Sequence, residues 1–140
     1  MQLKPQQFIK EFKGRFSGDL YQLKRMDVCP VYPNIGSHPF IVESNDRAIG
    51  CLYLYPLMGE ESTVSIMYLR SVEQGKGYGT QIMQQLCEFA DVKEISLHLE
   101  PYADNDSNLR NGGLKNWYAS FGFVMHSNVS MKREPRYASS

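Results

Sequence analysis

The chain is short of cysteine and tryptophan, has no surplus of either charge, and carries no long apolar run. Its cysteines are Cys29, Cys51 and Cys87, an odd number at wide spacing. That spacing fits no zinc site and argues against a disulfide framework, so all three read as reduced thiols of a cytoplasmic protein. His38, His98 and His126 are scattered, with no carboxylate or cysteine at ligand spacing, and no metal is expected. Lys+Arg and Asp+Glu each number 15, so the formal net charge is zero. Dedicated nucleic-acid binders carry a basic surplus, which argues against a nucleic-acid partner. The small basic group Lys10, Lys13 and Arg15 reads as a solvated face. No stretch approaches the ~18 apolar residues of a membrane-spanning helix. The opening MQLKPQQFIKEF lacks the apolar run of a signal peptide, so no membrane partner is expected. What is present is the balance of a globular domain: 140 residues, 42% hydrophobic and 21% charged. That suffices for a single domain over residues 1–140, as a monomer or a homodimer.

Helical and strand patterns alternate along the chain. Pro5 opens a helix over residues 5–16, with Phe8, Ile9, Phe12 and Phe16 at helical spacing. A short second helix is expected over residues 20–28. Residues 29–39, CPVYPNIGSHP, must form a loop, and they are a candidate wall for a substrate pocket. Strands over residues 40–43, 48–57 and 63–69 form an antiparallel meander. Residues 94–100, EISLHLE, alternate as a further strand. A helix separates it from the third strand, so these two should pair in parallel. A helix over about 109–120, a left-handed cap at Gly122 and a hairpin of residues 123–126 and 129–132 close the chain. The tail from Arg133 is expected to fray. The fold class is α/β (α+β), a mixed and mostly antiparallel sheet flanked by helices.

Residues 63–90, TVSIMYLRSVEQGKGYGTQIMQQLCEFA, organise the rest. A strand leads into a turn with Gly75, Gly77 and Gly79. The helix that follows places Ile82, Met83, Leu86, Phe89 and Ala90 on one face. A glycine turn opening a helix makes an anion site, because backbone N–H groups and the helix dipole point at the ligand. Two nucleotide loops fit poorly. A phosphate loop of the Walker type needs glycine, four residues, then Gly-Lys-Ser/Thr. A dinucleotide fingerprint needs a third glycine three residues after the second, where this chain has Ile82 after Gly79.

The run Gln74-Gly75-Lys76-Gly77-Tyr78-Gly79 instead resembles the acetyl-CoA loop of the Gcn5-related N-acetyltransferases, Arg/Gln-x-x-Gly-x-Gly/Ala. A second match lies downstream. The family pattern Asn-x-x-Ala-x-x-aromatic-Tyr, followed by Gly-Phe, is met by Asn111, Trp117, Tyr118, Gly122 and Phe123, with Leu114 in place of the alanine. The resemblance covers roughly residues 40–133. The pieces LEPY, WYASFGFVM and SMKREP also resemble small phage-encoded members. The chain departs from the family in showing no opening strand before its first helix.

The resemblance implies an N-acetyltransferase that moves an acetyl group from acetyl-CoA, a co-substrate, to a primary amine by direct attack in a ternary complex. The amine could belong to a protein lysine, a protein α-amine or a small molecule. Met67 and Leu69 would hold the thioester through backbone N–H groups. Gln74, Gly75, Lys76, Gly77, Tyr78, Gly79 and Thr80 would hold the pyrophosphate, with Gly77 and Gly79 leaving room for it. Asn111 would bind the cofactor arm. Tyr118 is the expected general acid toward the leaving thiolate. For the general base Glu100 is the choice, beside His98, Glu73, Glu43 or a water chain. The rival readings are a catalytically silent acyl-CoA-binding module for regulation or partner recognition, and an enzyme that grips nucleotide phosphates.

Overall fold

A computed structural model describes residues 4–16, 40–45, 47–71, 75–101 and 111–136. The expected helix at residues 20–28, the loop at 29–39 and the Gln74 side of the glycine turn lie outside the described residues. Helix α1 is Lys4–Phe16, followed by strands β1 (Phe40–Ser44), β2 (Arg47–Pro56) and β3 (Thr63–Ser71). Helix α2 (Tyr78–Lys93) leads to β4 (Ser96–Leu99), and helix α3 (Asn111–Ala119) to β5 (Val124–Met125) and β6 (Met131–Arg133).

The six strands among the described residues form one sheet in the order β1-β2-β3-β4-β6-β5. The β1–β2 and β2–β3 pairs are antiparallel, β3–β4 is parallel, and β4–β6 and β5–β6 are antiparallel. The meander, the crossover helix and the closing hairpin thus stand as the sequence pattern requires.

Alternation along the strands makes two faces. Leu52, Leu54, Val64, Ile66, Leu97 and Leu99 join the core. Helix α1 contributes Phe8 and Phe12 to that core, and α2 contributes Ile82, Met83, Leu86, Phe89 and Ala90. Phe8 and Phe12 meet Phe89 at ring-centroid distances of 5.3 and 5.8 Å. Trp117, Tyr118 and Phe121 of the α3 region pack against the same cluster. The opposite face carries Thr63, Ser65, Ser96 and His98, and Lys132 stands opposite His98 in the β4–β6 register.

Two expectations change. The tail after β6 is anchored: Arg133 is 3% exposed and ion-paired to Asp91, and the Arg136 N–H donates to Asp91 Oδ1 at 2.7 Å. The local sequence is charged and looks solvated; its partner on α2 is what buries it. Second, Cys51 is disulfide-bonded and Cys87 is a free buried thiol. The expectation of three reduced thiols therefore does not hold. No helix among the described residues is long and apolar enough to cross a membrane.

Candidate active site

Strand β3 leaves its parallel neighbour half-way along. It pairs with β4 from Thr63↔Ser96 to Ile66↔Leu99. Residues 67–71 continue along β2 with no β4 partner among the described residues. The register with β2 slips at the same place, from Leu54↔Ile66 to Tyr53↔Tyr68, which leaves Met67 as a bulge. A bulge bends and twists its strand. The β3–β4 ladder therefore ends where the bulge lies, and beyond Ile66 no strand among the described residues pairs with that edge of β3. Met67 itself is 52% exposed.

The open end of β3 runs into the glycine turn and α2. Gly75 and Gly77 have φ of 83° and 74°, a left-handed backbone that side chains rarely adopt. Gly77 is the N-cap of α2, and it supplies no side-chain cap to the first-turn N–H groups. Nothing lies within 4 Å of where a Cβ would stand at Gly75 or Gly77. Gly79 differs: its φ is ordinary and a Cβ there would touch the Trp117 ring at 3.8 Å and Leu69 Cδ2 at 3.9 Å. So backbone conformation demands glycine at Gly75 and Gly77, whereas Gly79 marks the close approach of α2 to Trp117. Lys76 is exposed, and Tyr78 and Thr80 are half-buried.

On the far side of the opening, Asn111 begins α3 and Tyr118 lies on its last turn. The Tyr118 ring packs 5.0 Å from Trp117 and 5.8 Å from Phe123. Gly122 ends the segment with φ 100°. Arg133 Nε donates to the Phe121 carbonyl at 2.7 Å and ties this turn to β6. The asparagine side chain lies outside the described residues.

Glu100 is exposed and follows the end of β4 directly. His98, two residues before it, is half-buried, and its Nδ1 lies 3.0 Å from Ser65 Oγ. Burial is the largest influence on His98 and pushes its pKa down, aided by His126 and Lys132 and opposed by Glu100 and Glu60. Cys87 is inert, its thiol pushed up to about 11 chiefly by burial. A hollow of about 240 Å³ also borders the first turn of α2, lined by Ser44, Asn45, Arg47, Ile49, Tyr78 and Gln81. It lies on the β1–β2 side of α2, away from the gap between β3 and β4. No group of His, Cys, Asp and Glu among the described residues could hold a metal ion.

This splayed parallel pair, with a glycine-opened helix at its mouth, is matched by a family model described as an acetyltransferase (GNAT) domain, over residues 36–125. The chain belongs to the Gcn5-related N-acetyltransferase (GNAT) family. With that it joins the acetyl-CoA-dependent acyltransferases.

Three solved structures illustrate the shared fold. A GNAT family acetyltransferase from Elizabethkingia anophelis with acetyl-CoA bound is 20% identical, with 70% of this chain and 76% of that one covered at a TM-score of 0.50. An acyl-CoA N-acyltransferase from Pseudomonas aeruginosa is 18% identical, with 82% and 90% covered at 0.53. The anti-CRISPR protein AcrVA5 is 20% identical, with 70% and 98% covered at 0.52. No curated protein sequence matches.

Among the expected site residues the structure brings Leu69 of β3 and Gly79 of α2 together beside Trp117, the neighbour of Tyr118 on α3. One feature escaped the sequence reading. Ser65 was not singled out, although small polar residues alternate on its strand; only the β3–β4 register pairs it with His98.

Proposed function

We propose that this GNAT chain, acting as one unit over residues 1–140, transfers the acetyl group of acetyl-CoA directly to a primary amine. The observation that carries this is the parting of β3 from β4 after Ile66↔Leu99, at the Met67 bulge. The β3 edge near Met67 and Leu69, which no described strand pairs on the β4 side, receives the thioester and its developing oxyanion, a role whose donors are worth roughly 3–4 kcal/mol each in other acyl-transfer enzymes. The left-handed Gly75 and Gly77 turn, with the first N–H groups of α2, receives the pyrophosphate, helped by Gln74, Lys76, Tyr78, Gly79 and Thr80. Asn111, at the start of α3, holds the cofactor arm.

The amine nitrogen attacks the thioester carbon. The C–N bond forms as the C–S bond breaks, and Tyr118 gives its phenolic proton to the leaving sulfur. In support, Tyr118 lies on the last turn of α3 with its ring against Trp117 and Phe123. The amine must shed a proton before it attacks, and the candidate bases are His98 on β4 and Glu100 just after it. No acyl-enzyme is needed: the buried Cys87 is too weak an acid to serve as a nucleophile at neutral pH.

The test is release of CoA thiol from acetyl-CoA across a panel of primary amines: spermidine, kanamycin, a peptide with one lysine and a peptide with a free α-amine. Amine-dependent release is expected. Tight binding of acetyl-CoA with release at background for every amine would favour the silent binding module instead.

A further inference from the structure

We propose that His98 is the base that takes the proton from the acceptor amine, and that Ser65 holds its ring in the tautomer this requires. The inference rests on the acyl-transfer reading above. Ser65 and His98 stand opposite each other in the parallel register, one rung before the last pair, Ile66↔Leu99. Both lie on the sheet face turned away from the helix-covered core. On that face Thr63, Ser65 and Ser96 are buried and His98 is half-buried, so His98 is the group of this rung that an acceptor can reach.

The hydroxyl of Ser65 is buried at 2% exposure of the residue, and its Oγ lies 3.0 Å from His98 Nδ1. With Nδ1–H donating to Oγ, the free lone pair sits on Nε2. Proton uptake at Nε2 then leaves the Nδ1–H···Oγ bond intact, so the ring need not turn between its two charge states. The exposed carboxylate of Glu100 has no comparable hydrogen bond among the described residues and must be positioned by the substrate.

The groups around the ring fit the task. Lys132 of β6 and His126 of the β5–β6 turn disfavour the imidazolium, as does burial. Glu100 after β4 and Glu60 of the β2–β3 connection favour it. Lys132 is drawn off by Glu60 at 3.1 Å and Glu134 at 3.6 Å, which weakens its repulsion. The ring is thus neutral and ready to accept at neutral pH, with Glu100 and Glu60 attracting the charge once it forms.

The proton count closes. The ammonium gives one proton to Nε2, and His98 passes it to solvent. The nitrogen loses a second as the amide forms, which replaces the proton that Tyr118 gave to sulfur.

The experiment joins two readouts on the whole chain. Imidazole ¹⁵N NMR should show neutral His98 as the Nδ1–H tautomer, titrating below the ordinary histidine value of about 6.5. Its Nε2 resonance should move when acetyl-CoA is added. With the most active amine of the panel above, His98→Gln should lower kcat about 10²-fold or more. It should also abolish the acid limb of the pH–rate profile and leave the Kd for acetyl-CoA unchanged. Ser65→Ala should weaken the tautomer preference and lower kcat, and Ser65→Thr, which keeps the hydroxyl, should restore both. Glu100→Gln should keep the acid limb and move it to lower pH.

An Nε2–H tautomer, full turnover in His98→Gln, or an acid limb removed by Glu100→Gln overturns the assignment while the transfer reading stands. A wild-type chain that binds acetyl-CoA and releases no thiol with any amine overturns the transfer reading, and the base assignment with it.

Discussion

Arg133 grips Asp91 with both guanidinium nitrogens, Nη1 to Oδ1 at 2.8 Å and Nη2 to Oδ2 at 3.0 Å. The pair joins the last strand to the last turn of the cofactor-loop helix. Burial works against the Asp91 charge, but the Arg133 bonds and the Arg136 N–H outweigh it and hold its carboxyl below the ordinary aspartate range. Removing one partner of a buried pair leaves the other uncompensated, so Asp91→Ala should cost roughly 3 kcal/mol in urea unfolding. Replacing both, as Asp91→Leu with Arg133→Met, should recover much of that loss. The sign with pH follows from the depressed carboxyl: its stabilisation is full above the unfolded value of about 3.9 and is lost as pH falls through the folded one. Asp91→Asn should therefore flatten the acid side of the stability profile.

Arg133 also bonds the Phe121 carbonyl next to Tyr118's helix. Tyr118→Phe should leave acetyl-CoA affinity unchanged and slow turnover by about 10²-fold or more. A variant with unaltered kcat would remove the phenol from the mechanism.

Glycine 77 has open space around it but a left-handed backbone, φ 74°. Gly77→Val should strain the turn by roughly 1–2 kcal/mol and, by placing a branched side chain at the mouth of α2, abolish CoA binding. Gly79→Ala meets only ordinary contacts with Trp117 and Leu69 and should fold normally. Thermal shifts with and without CoA separate the two effects. Saturating CoA should still raise Tm for Gly79→Ala and should not for Gly77→Val.

The C-cap of α2 is Glu94 with φ 59°, a left-handed residue that bears a Cβ. Glu94→Gly relieves that strain, so stability should rise by several tenths of a kcal/mol, up to about 1. A fall in Tm would mean that the Glu94 side chain contributes more than the strain costs.

How much of this was legible in the sequence depends on the range of the interactions. The helix after Gly79 was readable because Ile82, Met83, Leu86, Phe89 and Ala90 repeat locally, and all five are buried. The sheet order followed from chain connectivity. The bulge at Met67 was not readable, because it is a slip between two strands and leaves no mark in one of them. The burial of Arg133 depends on Asp91, 42 residues away, and the Ser65–His98 contact on a register between residues 33 apart. Local pattern located the glycine turn and its helix; pairing across the sheet set the Ser65–His98 contact.

Trp117 is the only tryptophan in the chain, and its ring lies 3.8 Å from the Cβ position of Gly79 at the mouth of the opening. Its fluorescence therefore reports on the gap directly. Titration with acetyl-CoA and with CoA should give a saturable change in Trp117 emission that ATP and NAD do not reproduce and that Gly77→Val abolishes. No change with acetyl-CoA, or an equal change with ATP or NAD, would contradict the assignment of this opening as an acyl-CoA site.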